Sequence, residues 1–121
     1  MDSKTTIYEL KSFVQNFCEE RDWDQFHDAK EMAIGISTEA GELLDHFRFK
    51  TKDQIKTMFE DDTVREEITD ELVDVLYFVL RFAQLYGIDL TTSFHKKTKK
   101  NAAKYPITKA KSSNKKYTEF S

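Results

Sequence analysis

Apolar residues recur at helical spacing from Ile68 to Tyr86, and two acids fall inside that pattern rather than opposite it. At about 100° per residue, with Ile68 as zero, Leu72, Val75, Leu76, Val79, Ala83 and Tyr86 form one core-facing stripe. Glu71 and Asp74 lie at about −60° and −120°, in a sector shared with Phe78, Phe82 and Leu85. An earlier segment repeats the arrangement: ISTEAGELL at 36–44 reads like ITDELVDVL at 68–76. With Ile36 as zero, Ala33, Ala40, Leu43 and Phe47 make the core stripe. Glu39 and Glu42 fall at the same angles as Glu71 and Asp74, with Gly35 and His46 between them. One acidic pair at i and i+3 ordinarily means solvent. Two pairs with the same offset, both bordered by apolar side chains, argue for a shared purpose.

If the two helices pack antiparallel, the pairs face each other. Four clustered carboxylates then repel, and partial desolvation pushes their pKa values up. A divalent cation removes the conflict. An all-oxygen ligand set calls for a hard ion, Mg²⁺ first and Mn²⁺ as a substitute. A carboxylate-bridged di-iron site would want Glu-x-x-His on each of two helices, and neither pair has it. Glu66 and Asp70, near a helix start, complement the dipole, whereas Glu67 shares the acidic sector and is an accessory candidate.

The rest of the chain fits a helical domain. One Pro and three Gly favour long helices over a turn-rich β fold. We expect helices near 5–20, 29–49, 52–59, from Asp61 or Asp62 to about Tyr86, and from about Asp89 to just before Pro106. Asp28 is the expected cap of the second, ERDWDQFHDAK reads as a loop, and Gly87 stops the long acidic helix. The fold class is therefore an all-α bundle of four principal helices. A lone cysteine, Cys18, excludes an internal disulfide and suits a reducing cytosol. There is no signal-peptide pattern and no run long enough to span a membrane, so a cytoplasmic location is expected.

Charge is divided unevenly. Residues 1–95 hold 21 acids and 10 Lys or Arg, a net of −11, whereas residues 96–121 hold nine Lys and only Glu119, a net of +8. An acidic body disfavours specific nucleic-acid binding and attracts cations. We read 1–106 as the folded domain and 107–121 as a basic, flexible tail.

The blocks RDWDQFH, EAGELLDHFRF, DELVDVLYFVLRFA and KKTKKNAAKYP, in this order, resemble the MazG-like superfamily of all-α nucleoside triphosphate pyrophosphohydrolases, in its dCTP pyrophosphatase branch. The resemblance covers roughly residues 7–107. It implies a Mg²⁺-dependent enzyme that cleaves between the α and β phosphates, yielding a monophosphate and pyrophosphate, and a role in cleansing the nucleotide pool. It makes Glu39, Glu42, Glu71 and Asp74 the metal ligands and catalytic residues. Trp23, in the RDW block, and Phe49, just after the first acidic helix, fall where that branch holds the base; His27, at the end of the RDW block, is a substrate-side candidate that we read as making a loop hydrogen bond rather than doing catalysis. Lys97, Asn101, Lys104 and Tyr105 fall on a phosphate-binding block, with Lys104 in place of Arg. Phe78 stands where related chains often carry Tyr, so a phenol near the nucleotide is missing.

Elementary chemistry agrees with these roles. A triphosphate cannot approach an acidic site without metal, and Mg²⁺ polarises phosphorus and activates water. Lys97, Asn101 and Lys104 share one helix face and can neutralise phosphate charge, Lys104 as a point charge without the bidentate grip of Arg. A flat aromatic stacks on any base. Glu39, nearest the core edge, is the candidate general base. Wide apolar sectors predict a homo-oligomer, a dimer or a tetramer of dimers. Two rival readings stand beside this one: a related hydrolase acting on dUTP or phosphoribosyl-ATP, and a non-enzymatic helical module that offers its acidic face to a basic partner.

Overall fold

The computed structural model describes residues 1–120; Ser121, the last residue of the expected tail, lies outside the described residues. Every regular element among the described residues is helical: α1 (Ile7–Glu20), α2 (Ala29–Asp45), α3 (Lys52–Glu60), α4 (Asp62–Leu85), α5 (Leu90–Lys104) and α6 (Ile107–Ala110). Short 3-10 turns occupy Asp24–Phe26 and Tyr117–Glu119. No helix is long and apolar enough to cross a membrane.

Side-chain caps set the helix starts, each satisfying an orphan backbone N–H. The Thr6 hydroxyl accepts from Glu9 N, and Asp28 accepts from Glu31 N. Thr51 and Gln54 form a reciprocal capping box, and Asp89 caps α5 through Thr92 N. Asp61 accepts from both Thr63 N and Val64 N and starts α4, while Gly87, at φ 61°, follows its end. α2 stops at Asp45, short of the expected 49. Residues 46–49 continue as turns, and Phe49 adopts a left-handed φ of 64°, incompatible with further helix.

The chain divides into two compact units, Met1–Gly87 and Ile88–Ser121. In the first, α4 is the central element, packing most extensively on α2, then on α1 and α3. The α2–α4 pair is antiparallel. Ala29 N donates to Tyr86 Oη at 2.7 Å, Gly35 meets Phe78, and Glu42 meets Glu71, so the order runs opposite on the two helices. Gly35 is required there, because a Cβ would come within 2.5 Å of the Phe78 ring. α1 joins α4 where Cys18 Sγ and Tyr77 Oη lie 3.0 Å apart and where Phe17 meets the Tyr77 ring edge-on.

The core is narrow: Val14, Cys18, Met32, Ile68, Leu80 and Ala83 are buried, together with Arg81. The stripe expected on the acidic helix is covered only in part. Ile68, Val75, Val79 and Ala83 are at least half-buried, whereas Leu72, Leu76 and Tyr86 remain exposed within one chain. The covered arc is rotated toward the acids, because α2 lies against that side of α4.

In the second unit, α5 is followed by a segment that returns aromatic rings to its end. Tyr105 meets Tyr117 and Phe120 edge-on, at 5.9 and 5.7 Å, and Lys104 Nζ sits 4.9 Å from the Tyr117 ring centre. The stretch expected as a flexible tail thus carries α6, a 3-10 turn and these ring contacts.

Candidate functional site

Glu39 and Glu42 lie on α2, Glu71 on α4. One carboxylate oxygen of each falls within 4.8 Å of the others. Their helices bring them together because both acidic pairs sit at the same angle beside the antiparallel contact. Asp74 stands outside this triplet and is exposed, but its charge still reaches Glu39 and Glu71. The Oε2 atoms of Glu39 and Glu71 are buried and have no hydrogen-bond partner. A buried, unpartnered carboxylate oxygen is costly.

Burial raises the Glu39 carboxyl to about 7, helped by the neighbouring Glu42 carboxyl and then by the charges of Asp74 and Glu71. Glu71 is raised for the same first reason, with Glu42 next and Asp74 after it, and His46 opposes the shift. The triplet thus resists full ionisation by itself. Three hard oxygen donors, on residues of which two also hold a buried Oε2 without a partner, fit a divalent cation of the Mg²⁺ or Mn²⁺ type. Glu67 is exposed and lies outside the triplet.

A second group lies beyond the C-terminal side of Asp74. Phe78 is half-buried on Gly35 and meets Tyr77 edge-on at 5.1 Å. Phe17 links Tyr77 to Trp23, whose ring lies 5.7 Å away and 6.2 Å from His27. The end of α1 directs Trp23. Asp22, at φ 55°, closes a left-handed cap in which Asp22 N donates to Glu19 O and Trp23 N to Cys18 O. This is the paired pattern of a Schellman motif, which folds the residue after the cap back onto the last turn. Trp23 is 38% exposed, neither core nor free. Burial first, then the Arg81 charge, lowers the His27 pKa.

Phe49 is 90% exposed, which removes core packing as its role; the Arg48 guanidinium lies 4.9 Å from its ring centre. Lys97, Asn101, Lys104 and Tyr105 belong to the second unit, where the first three are exposed along α5 and Tyr105 packs on Tyr117 and Phe120. Sequence reasoning passed over Arg81, buried to 1% exposure. Its signal was available: an arginine inside VLYFVLRFA, seven residues after Asp74 and so on nearly the same face.

A sequence model described as the MazG-like family matches residues 34–120. Human dCTP pyrophosphatase 1 is 32% identical over 115 residues, covering 95% of this chain and 68% of the relative. The bovine dCTP pyrophosphatase 1 is 27% identical over 118 residues, covering 98% and 70%. Among solved structures, a pyrophosphatase from Archaeoglobus fulgidus superimposes with a TM-score of 0.75 at 30% identity, covering 82% of this chain and 91% of its own.

Proposed function

The chain belongs to the MazG-like family, and from that membership we propose that it is a divalent-cation-dependent nucleoside triphosphate pyrophosphohydrolase. It is a pyrophosphate-releasing hydrolase, like the relatives it matches. Cleavage between the α and β phosphates of a dCTP-like deoxynucleotide, with Mg²⁺ as the ion, is the finer reading. The observation that carries the cation dependence is the pair of buried, unpartnered Oε2 atoms on Glu39 and Glu71 within a three-carboxylate cluster; the dCTP-like substrate rests on the relatives alone.

Glu39, Glu42 and Glu71 hold the cation, and Asp74 completes the negative set. When bound, the ion supplies positive charge that admits a polyanion and polarises a phosphoryl group. Glu39 also keeps a buried Oε2 without a partner, and we assign that acceptor to the proton of attacking water. Trp23 and His27 offer a ring face and an imidazole to the base, and Phe49, beyond the opposite end of the 17-residue α2, offers its exposed ring to the base held by a neighbouring copy. Lys97, Asn101 and Lys104 are assigned to phosphate on their chemistry alone, as cations and an amide on one face of α5. The division into a domain at 1–106 and a basic, flexible tail at 107–121 belongs to the same proposal. So does a homo-oligomer: Leu72, Val73 and Leu76 expose a continuous apolar stretch of α4 in the single chain.

A panel of deoxy- and ribonucleoside triphosphates, assayed for pyrophosphate release with and without Mg²⁺, tests this. We expect metal-dependent pyrophosphate, fastest with dCTP. No release from any triphosphate overturns the enzyme reading, and preference for dUTP or phosphoribosyl-ATP moves the substrate.

A further inference from the structure

Arg81 is a charged side chain at 1% exposure, and a buried charge survives only if its partners are well placed. All three arms of the guanidinium are engaged. Nη1 donates to Gln84 Oε1, on the same helix. Nη2 donates to Asp24 Oδ1, forming an ion pair. Nε donates to His27 Nδ1 at 3.0 Å. Two of the three partners therefore lie on the segment between α1 and α2, and none of the three is an acid of the metal cluster. Because Nδ1 accepts, the imidazole proton must sit on Nε2.

The position of Arg81 along α4 gives this clamp a purpose. Asp74, Phe78 and Arg81 follow one another at spacings of four and three, on nearly one face. Seven residues at 1.5 Å place Arg81 about 10 Å along the axis from Asp74. The 22–28 segment is held at both ends, by the Asp22 left-handed cap and by Asp28 at the start of α2. Between those ends, Asp24 and His27 bracket the 3-10 turn that follows Trp23. A fork-shaped cation can tie both to one helix, which a lysine cannot do.

We propose that Arg81 is a positioning residue: it anchors the Trp23–His27 segment to the helix that carries Glu71 and Asp74, and so fixes the Trp23 ring and the Nε2 proton of His27 as one wall of the nucleobase pocket. This rests on the hydrolase reading above, which supplies the base. Arg81 touches no reacting atom. Its loss weakens base binding and leaves the phosphate chemistry intact.

Trp23 is the only tryptophan, so its fluorescence reports this segment directly. In the full chain, Arg81→Met should increase acrylamide quenching of Trp23 and raise KM for dCTP about tenfold, the loss of one stacking contact, with kcat within about twofold of the parent. Arg81→Lys keeps the charge without the fork and should match Arg81→Met. Asp24→Ala removes the acidic anchor of the segment and leaves the Arg81 charge buried without its acid, so it should move both readouts the same way, and it serves where Arg81→Met fails to fold. Circular dichroism establishes which variants are folded. Unchanged quenching and KM in a folded Arg81→Met or Asp24→Ala overturns the proposal. So does a full restoration by Arg81→Lys, or a fall in kcat at constant KM. If the parent hydrolyses no triphosphate, the hydrolase reading fails, while quenching still decides whether Arg81 holds the segment.

Discussion

At the scale of single residues, two kinds of strain mark the candidate site. Glu39 and Glu71 carry the electrostatic kind. Glu39 is raised from 4.5 to about 7 in the folded chain. Below pH 4.5 the folded and unfolded forms both hold this proton, and the contribution to stability is whole. Between 4.5 and 7 only the folded form keeps it, so the contribution is lost as pH rises. His27 is shifted the other way, its share being lost as pH falls below 6.5, so a difference measurement is needed. In the metal-free protein, the Tm of the parent relative to Glu39→Gln should fall as pH rises from 4.5 through 7, and Mg²⁺ should cancel the fall. A pH-independent difference contradicts the burial of that carboxyl. Glu39→Gln should also abolish pyrophosphate release while helicity stays, and retained turnover refutes its role. Phe49 carries the conformational kind. A bulky residue in the left-handed region costs about 1–2 kcal/mol, yet this side chain is 90% exposed and gains no burial in return. Phe49→Gly should match or exceed the parent's stability and raise KM. A loss beyond about 1 kcal/mol would show that the ring packs where it stands.

At the scale of elements, the site depends on the register of α4 against α2. Asp61 satisfies two orphan N–H groups at the start of α4, so Asp61→Ala should cost about 0.5–2 kcal/mol by thermal melts. Glu71 lies ten residues on, and Mg²⁺ affinity should change far less than stability. Gly35 decides how closely the helices approach. Gly35→Ala meets the Phe78 ring at 2.5 Å and should cost about 1–3 kcal/mol unless Phe78 leaves its seat. The helix starts were readable in the sequence because Asp28, Asp61 and Asp89 cap by local chemistry. The end of α2 was not, because nothing in EAGELLDHFRF forbids another turn; the left-handed Phe49 stops it.

At the scale of the whole molecule, the first unit leaves Leu72, Val73 and Leu76 exposed on its central helix. Burying a side chain of this size is worth about 1.5–3 kcal/mol, and a second copy is the proposed cover. Light scattering should give at least twice the 14.3 kDa of one chain, and Leu76→Glu should lower that mass. A parent of monomer mass refutes the oligomer.

The identity of α1 to α5, the aspartate caps, the two acidic pairs and the family blocks were determined by the sequence, because each depends on neighbours within a turn or two; α6, inside the expected tail, was not. The tertiary structure alone decided which carboxylates meet and which stay apart, since Asp74 shares its angle with Glu42 yet only Glu42 joins Glu39 and Glu71. It also decided that an arginine in an apolar run is buried against a loop more than fifty residues away. Periodicity specifies a direction around one helix axis; only packing specifies what waits in that direction.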